Sequence, residues 1–581
     1  MFAHRDVRYA TLGLAVAAAE NLLGQIAANR APGPHPPLSH SSAPMKPLRI
    51  GIIVDDLVMP AWLARMLESV LALNGVDLVL IVKVSGTAGA SRNQLARENL
   101  FVSMWLKLDK WLTHVPNDAF RSINLSSRLS AVPAVEVALR QTGIGHCLDP
   151  ADVAKIATHD ISVFLLLCPL RVGEEFAATT KNGIWFYLDD CRSAVSSVLM
   201  EVPETMSALQ CVTQDGRYHT LQRSWSVTYP FSVQRTRNNA CWKALSFVPR
   251  ALRELQHIDD DISGKRYPHG TVADGPSKRS YLADVSLIAD LFRRAAARKM
   301  LMRKMLEQWI VLYRIGTLET AVPMLSEFRE LLPPKDRFWA DPFAVARNGE
   351  YAVFIEELEY KRNVGHLAVI RFDANQQPVL PPIKIMERPY HLSYPFLFEE
   401  DGELYMIPET NEDKTIQLHR CVRFPDQWEF VKNIMEDVMT VDTTLWRHDG
   451  KIWLFTCMRE NENTSMCDEL FLFSSNSVLS DEWRPHPCNP IVSDVRSARP
   501  AGNIFERDGH WYRPAQDCSG RYGRAVVFQR IDQIDEDHYH ETPVSRIDAN
   551  WDDSIERVHT FNHTGTMTVI DAMKLRDRKA D

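Results

Sequence analysis

Polar side chains recur at matching positions of a repeat in the second half of the chain. Each copy starts with a polar or proline-containing segment and continues as an apolar strand, a D-G, N-G or R-D-G turn and an aromatic-rich second strand. The copies span 339–357, 393–409, 441–456 and 498–517, with a divergent fifth at about 548–575. The residues at the start of each first strand are Asp341, Tyr394, Asp442, Arg499 and His559.

Carboxylates from neighbouring repeats that face one cavity are what acid–base chemistry on a glycosidic bond requires. The first strands supply Asp341 and Asp442, which we interpret as an acid–base pair. The second strands add Glu356, Glu357, Glu409 and Asp517 as candidate ligand-binding groups. A single aspartate at such a position is explained as well by a capped turn, but several polar starts in register favour a ligand site.

The spacing of roughly 50 residues fits one four-stranded blade of a β-propeller. The D-G and N-G turns are hairpin signals, because glycine supplies the positive φ that a tight turn needs. The repeat therefore predicts an all-β, five-bladed propeller over 331–575, whose first strands surround a central channel.

The same half of the chain resembles a known propeller family. The segments FWADPF, PYHLSYPFLFEEDGELYMIPE, VDTTLW and SDVRSARPAGNIFERDGHWYRPAQDCSGRYG are similar to the propeller domain of plant glucosamine inositolphosphorylceramide transferases. That domain is itself similar to the five-bladed propellers of family 43 glycoside hydrolases. The resemblance implies that Asp341 is a general base and that Asp442 tunes the acid. It also implies a site for a structural cation in the channel, which the sequence does not establish.

The acid of those hydrolases is a glutamate at the start of the fourth blade, where this chain has Arg499. Without a proton donor on the leaving oxygen, ordinary hydrolysis lacks an essential group. Arg496 and Arg499 would instead suit a phosphate or carboxylate on a sugar ligand. The histidine pairs near 538–540 and 559–563 have no third ligand at a fixed spacing, so no metal site is predicted.

Residues 46–255 alternate apolar strands with helices, which predicts an α/β domain with a mostly parallel sheet. Its segments DLVMPAWLARMLESV, DISVFLLLCPLRVGEEF and LQRSWSVTYPFSVQRTRNNACWKALSFVPRALREL resemble Rossmann-like formyltransferase domains. The resemblance places Phe186 and Leu188 where that family has its asparagine and histidine, and Asp215 near its later aspartate. Neither Phe nor Leu can donate a hydrogen bond or accept a proton. The formyltransferase site is therefore expected to be lost and folate is not expected, unless His219, Asp189 or Asp190 substitutes.

The remaining segments are connectors. Residues 1–45 contain a Pro/Ser/His-rich tether, and 256–330 read as a linker with a basic amphipathic helix over 281–314. Such a helix contacts an anionic membrane or joins two domains with a solvated face.

Composition narrows the class of protein. The chain has 581 residues, a formal net charge of −8 and ten cysteines without a CxxC pair. A mildly acidic chain is a poor general nucleic-acid binder, and the scattered thiols are typical of a cytoplasmic protein. We expect a carbohydrate-active protein that handles a glycan, glycolipid or sugar-nucleotide intermediate in surface polysaccharide biosynthesis, alone or with a partner glycosyltransferase. The alternatives are a folate-dependent N-formyltransferase acting on an amino sugar and a non-catalytic glycan-binding scaffold.

Overall fold

The structure is a computed structural model that describes residues 46–579, with gaps at 86–99, 114, 139, 143–144, 148, 169, 171–173, 189, 258–280, 319–324, 348 and 462. The tether predicted in 1–45 and residues 258–280 and 319–324 of the linker predicted over 256–330 lie outside the described residues. The chain divides into two compact units, one of Ser41–Arg294 together with Glu460–Thr464 and one that contains Ala295–Arg459 and Ser465–Asp581. In the described part of the chain, no helix has both the length and the apolar character needed to cross a bilayer.

The first unit is α/β. Its strands are β1 (Leu48–Val54), β2 (Val58–Pro60), β3 (Val76–Ser85), β4 (Ser122–Asn124), β5 (Ala134–Ala138), β6 (Arg140–Thr142), β7 (Gly145–Cys147), β8 (Val163–Leu166), β9 (Ile184–Tyr187), β10 (Glu204–Val212) and β11 (Tyr218–Val227). Its helices are α1 (Ala61–Leu71), α2 (Leu100–Leu112), α3 (Pro150–Ala157), α4 (Glu174–Ala177), α5 (Asp190–Leu199), α6 (Val233–Ala244), α7 (Phe247–His257) and the first part of α8 (Tyr281–Lys304), which continues past the boundary at Arg294.

Seven strands form one sheet in the order β11-β10-β9-β8-β1-β3-β5. The pairs among β5, β3, β1, β8 and β9 are parallel, whereas β10 pairs antiparallel with both β9 and β11. The apolar runs LRIGIIV and VFLL are almost entirely buried because helices cover both faces of the parallel strands. The α/β class predicted for this half is confirmed.

The second unit is a five-bladed β-propeller, as predicted. The strands before the first repeat are β12 (Met305–Ile315) and β13 (Arg329–Leu331). Blade 1 holds β14 (Arg337–Arg347), β15 (Glu350–Glu359), β16 (Gly365–Phe372) and β17 (Pro378–Met386). Blade 2 holds β18 (Ser393–Glu400), β19 (Glu403–Thr410), β20 (Thr415–Arg423) and β21 (Gln427–Glu436). Blade 3 holds β22 (Thr440–His448), β23 (Lys451–Met458), β24 (Leu470–Ser475) and β25 (Arg484–Pro485).

Blade 4 holds β26 (Arg499–Pro500), β27 (Phe505–Arg507), β28 (His510–Asp517), β29 (Ala525–Ile534) and β30 (Tyr539–Asp548). The last strands are β31 (Ile555–Arg557), β32 (Phe561–His563) and β33 (Met567–Asp577). The hairpin turns predicted from D-G are present in blades 2, 3 and 4. In each of them both turn residues have positive φ, as at Asp449 (48°) and Gly450 (75°).

Blade 5 joins the two ends of the propeller unit. Strand β12 pairs antiparallel with β33 along its whole length, from Met305 opposite Asp577 to Ile315 opposite Met567. The helix predicted over 281–314 is therefore wrong after Lys304, where α8 ends and β12 begins. The apolar run in MLEQWIVLYRI is buried by strand pairing, and a pattern without its pairing partner does not distinguish a buried strand from a helix.

Candidate functional site

Three first strands carry the same backbone irregularity. The pairing register of β14, β18 and β22 shifts at Asp341, Tyr394 and Asp442, as in a β-bulge. These residues have φ values of 48°, 42° and 53°, and their side chains are buried. A positive φ is uncommon for aspartate and a genuine outlier for a bulky tyrosine. Strained positions of this kind cluster at functional sites, and here they repeat in three consecutive blades.

Asp341 lies in a closed network with the fifth blade. Its backbone N–H donates to Asp571 Oδ2 at 2.9 Å, and its Oδ1 accepts from Thr560 Oγ1 at 2.9 Å. His559 bridges the two carboxylates, with Nδ1 2.7 Å from Asp571 Oδ2 and Nε2 3.4 Å from Asp341 Oδ1. The Tyr394 N–H donates to Asp341 Oδ2 at 3.2 Å. Three blades thus meet at one aspartate.

The surroundings shift the protonation of both groups. Burial raises the pKa of Asp341 to about 7, with a smaller contribution from the nearby acidic groups and opposition from His559. Burial lowers the pKa of His559, but the carboxylates of Asp571 and Asp341 outweigh it and raise that pKa to about 9. Near neutral pH the imidazole is charged and Asp341 can both take up and release a proton, as a general base does.

A second ion pair joins blades 3 and 4. Arg499 Nε donates to Asp442 Oδ2 at 2.6 Å and Nη2 donates to Oδ1 at 3.3 Å, a two-point contact. Gln516 Nε2 also donates to Asp442 Oδ2, at 2.8 Å. The guanidinium lies over the Tyr522 ring, 4.9 Å from its centroid. The guanidinium of Arg499 is therefore occupied by its ion pair with Asp442.

Glu409 reaches this ion pair from blade 2. Its Oε2 is 3.7 Å from Arg499 Nη2, and this buried oxygen has no hydrogen-bond partner among the described residues. Burial and the neighbouring Asp442 carboxylate raise the pKa of Glu409 well above its usual value, although Arg499 opposes them. Burial and the Asp442 carboxylate thus favour the protonated form of Glu409. We name the group formed by Asp341, Tyr394, Glu409, Asp442, Arg499, His559 and Asp571 the channel cluster.

Four of the predicted site residues do not join the channel cluster: Glu356, Glu357, Arg496 and Asp517. Glu357 accepts from Arg337, Trp339 and His366; burial raises its pKa, but these hydrogen bonds outweigh burial and lower the pKa to about 2. Because side chains alternate along a strand, the neighbouring Glu356 points the other way and pairs with His391 at 3.0 Å.

Asp517 and Arg496 also have other partners. The side chain before Asp517, Gln516, reaches Asp442, whereas Asp517 pairs with Arg546 at 3.2 Å. Arg496 is 40% exposed and forms a 2.6 Å ion pair with Asp494 in its own loop. Arg496 and Arg499 each face an aspartate of the chain itself, and their predicted role as clamps for an anionic ligand stays a prediction.

Sequence reasoning missed several members of the network. Asp571 is fully buried in the apolar strand β33, and a lone aspartate inside MTVIDAM was the available signal. Gln516 and Thr560 gave no comparable signal, because uncharged polar residues in strands are common.

Asp341, His559 and Asp571 are the residues that could hold the channel cation implied by the resemblance. Ligand atoms of Asp341, His559 and Asp571 lie within 4.8 Å of one another. Asp571 already accepts the N–H groups of Asp341, His559 and Thr560 in addition to facing the imidazole. The acceptor capacity of Asp571 is thus largely used, whereas His559 Nδ1 is a buried nitrogen without a well-aligned hydrogen-bond partner among the described residues. The donor set is only partly satisfied, and no chemical step is assigned to a cation.

In the α/β unit, the residues predicted at the formyltransferase positions do not lie together. Phe186 lies in β9 with its ring edge-on to Tyr218, and Leu188 follows the carboxyl end of that strand. Asp215 is in the β10–β11 turn, beyond the pair Val212–Ile184, and therefore lies at the opposite end of β9. It is exposed and pairs with Arg217. His219, opposite Cys211, is at that same far end; Asp189 lies outside the described residues.

Comparison with known proteins concerns the propeller. Residues 330–578 match the family described as glucosamine inositolphosphorylceramide transferase 1, N-terminal. Glucosamine inositolphosphorylceramide transferase 1 of Oryza sativa subsp. japonica is 35% identical over 211 residues, which are 36% of this chain and 28% of that protein. The Arabidopsis thaliana protein of the same name is 32% identical over 212 residues, 36% of this chain and 27% of that protein. The chain thus spans under a third of these relatives' length.

Solved structures resemble the same region more distantly. A family 117 glycoside hydrolase from Zobellia galactanivorans is 13% identical, with a TM-score of 0.29, and covers 47% of this chain and 92% of its own. The catalytic domain of a Coprinopsis cinerea family 62 α-L-arabinofuranosidase is 11% identical, with a TM-score of 0.32. The match covers 46% of this chain and 96% of that structure's chain. It is the sequence match that identifies residues 330–578 as a propeller similar to the N-terminal domain of the glucosamine inositolphosphorylceramide transferases.

Proposed function

We propose that the propeller binds the carbohydrate part of a glycan, glycolipid or sugar nucleotide at the channel cluster and acts on it. The observation that carries this proposal is the meeting of three strained first strands at buried, mutually coupled carboxyl groups. The match to a transferase named for an inositolphosphorylceramide supports the substrate class.

Within this proposal two carboxyl groups have distinct roles. Asp341 takes up a proton as the base, because its pKa of about 7 lies near the working pH. Burial and the Asp442 carboxylate favour the protonated form of Glu409, which would supply the donor that Arg499 cannot. Asp442, anchored by Arg499 and Gln516, sustains the high pKa of Glu409. The proposal therefore places the proton donor on blade 2, whereas the family 43 hydrolases have theirs on blade 4.

The wider assignment follows from the propeller. We place the reaction among glycosyl transfers or glycosidase-like cleavages, in cytoplasmic assembly of a surface polysaccharide, with a partner glycosyltransferase where the propeller itself only binds. The α/β unit is proposed to be formyltransferase-like and inactive, because Phe186 and Leu188 at the end of β9 offer no proton-transfer group.

Ligand-dependent thermal stabilisation tests the proposal on the full chain. The panel contains mono- and disaccharides, sugar phosphates, UDP-sugars and 10-formyltetrahydrofolate, and a bound compound raises the Tm by mass action. We expect a shift with a carbohydrate compound that is lost in Glu409→Ala. The matched control is Asp449→Asn, a change at an exposed aspartate in the β22–β23 turn, which should keep the shift.

The outcomes separate the candidate functions. A carbohydrate shift kept in Asp341→Asn, with turnover of that compound lost, supports an enzyme. A shift kept together with full function in both Asp341→Asn and Glu409→Gln indicates a glycan-binding scaffold. A shift with 10-formyltetrahydrofolate alone would overturn the proposal and return function to the α/β unit.

A further inference from the structure

Helix α2 of the α/β unit exposes a stripe of large apolar side chains. Its buried side carries Val102 and Trp105, which pack in one core cluster with residues of α5 and α8, among them Leu291. Its open side carries Phe101 (44% exposed), Met104 (57%), Leu108 (38%), Trp111 (80%) and Leu112 (63%). At 3.6 residues per turn these five positions fall within an arc of about 100°. We call them the α2 stripe.

The exposed apolar surface continues beyond the helix. Ser232 Oγ donates to Thr113 Oγ1 at 3.2 Å, which places the preceding Phe231, 43% exposed, beside the carboxyl end of α2. A helix that is apolar on nearly all sides is normally buried. Contiguous exposed apolar surface of this kind marks an interaction site.

The charges of α2 indicate what covers the stripe. Its one acidic residue, Asp109, is buried and accepts from Thr113 Oγ1 and the Gln234 N–H. The exposed charges of the helix are therefore Lys107 and Lys110, both positive, although Lys110 also contacts Asp118 at 3.4 Å. Lysines beside a stripe that contains Trp, Phe and Leu are typical of a helix lying in a membrane interface.

We propose that the α2 stripe docks on the surface of an anionic lipid bilayer. The apolar side chains enter the boundary between headgroups and acyl chains, and the two lysines meet anionic headgroups. A second copy of the chain is a poorer occupant, because it would bring like charges together. This inference concerns the α/β unit and does not depend on the channel cluster.

The basic helix α8 is a weaker candidate for the same contact. Arg293 and Arg294 both bind Asp290, and Arg298 binds Glu307 and Glu556. Much of its positive charge is thus neutralised within the chain. Helix α8 also exposes an apolar side chain, Met300 (67%). A substitution of Met300 therefore serves as an internal control for a substitution in the α2 stripe.

Vesicle co-flotation of the full chain tests the proposal. The probes are vesicles of phosphatidylglycerol and phosphatidylcholine in equal parts, and vesicles of phosphatidylcholine alone. We expect at least roughly ten-fold tighter binding to the anionic vesicles, weakened by salt. Trp111→Glu should reduce that binding roughly ten-fold or more, because it removes an apolar anchor and adds a repelled charge. Met300→Glu should leave it within roughly two-fold, as a remote exposed change does.

Three results would overturn the proposal. The first is absence of binding to anionic vesicles, which means that the stripe is covered by something other than lipid. The second is binding that survives both Trp111→Glu and Met104→Glu. The third is a wild-type dimer in light scattering that Trp111→Glu converts to a monomer, which would assign the stripe to a second copy. Far-ultraviolet circular dichroism of each variant checks that the fold is retained.

Discussion

The channel ends of the propeller strands and the carboxyl edge of the α/β sheet are the two places where folds of these types position functional groups. In the propeller, that place holds buried carboxyl groups, an arginine and a charged imidazole in one network. In the sheet, the end of β9 offers Phe186 and Leu188. The propeller buries charged and polar side chains together at the channel ends of its strands. The α/β sheet has the apolar side chains of Phe186 and Leu188 at the end of β9.

The contrast has a physical consequence. Burying charge without partners is unfavourable, so the charged members of the channel cluster depend on the opposite charges beside them, as Arg499 and Asp442 do. Removing one member therefore leaves uncompensated groups behind. Among the described residues at the end of β9, Phe186 and Leu188 carry no charge, and substitutions of these two should act through packing. Five predictions test this difference, from the largest expected effect to the smallest.

Asp571→Ala should have the largest effect. It leaves three backbone N–H groups and a charged imidazole without their acceptor, and loss of one partner of a buried pair costs about 3–5 kcal/mol. Urea unfolding followed by tryptophan fluorescence should show the loss. Asp215→Ala, at the exposed turn of the α/β unit, should leave the curve unchanged. Equal effects at the two sites would remove the contrast.

Arg499→Met should be nearly as damaging, because it leaves the Asp442 carboxylate buried and facing Glu409. We expect a cost of about 3 kcal/mol, most of it recovered when Asp442→Asn is added, since the pair is then removed as a whole. Arg496→Met should cost under about 1 kcal/mol, because that ion pair is partly exposed. Additive effects of the two substitutions in a double-mutant cycle would contradict the proposed dependence.

The pH dependence of stability should carry a signature of Asp341. Its folded-state pKa of about 7 lies above the unfolded value of 3.8, so the folded protein holds the proton more tightly. This contribution is fully present below about pH 3.8 and is lost as the pH rises through 7. Asp341→Asn should flatten the fall in Tm between about pH 4 and 7. An unchanged slope would mean that Asp341 titrates normally.

His559 should affect the pH dependence of stability over a higher pH range than Asp341. Its folded pKa of about 9 exceeds the unfolded value of 6.5, so its contribution is present below 6.5 and lost as the pH rises through 9. The fall in Tm over that window should therefore remain in Asp341→Asn, where Asp571 still holds the imidazole.

The smallest effect is expected at the end of β9. Phe186→Leu loses the edge-on contact with Tyr218 and some buried area, which costs about 1 kcal/mol. The carbohydrate-induced Tm shift of the propeller should be unchanged. A shift abolished by Phe186→Leu would show that the two regions are not functionally separate.

The sequence determined the architecture because its signals are local. Hairpin dipeptides, alternating apolar strands and a repeat of roughly 50 residues specify blades without knowledge of their neighbours, and the buried runs around β1 and β8 specify a parallel sheet. It also identified Asp341, Tyr394, Asp442, Arg499 and His559 as strand starts in register, which the structure brings to one channel.

The tertiary structure decided what those residues do to one another. Whether Glu356 or Glu357 faces the channel depends on the pleat relative to a bulge, and a shift of one residue reverses every side chain. Arg499 appeared free for a ligand until its position opposite Asp442 was known. Strand β12 needed its partner β33, more than 250 residues away, to be distinguished from a helix. Protonation of Asp341 and Glu409 likewise depends on burial and on charges contributed by other blades, which no local pattern encodes.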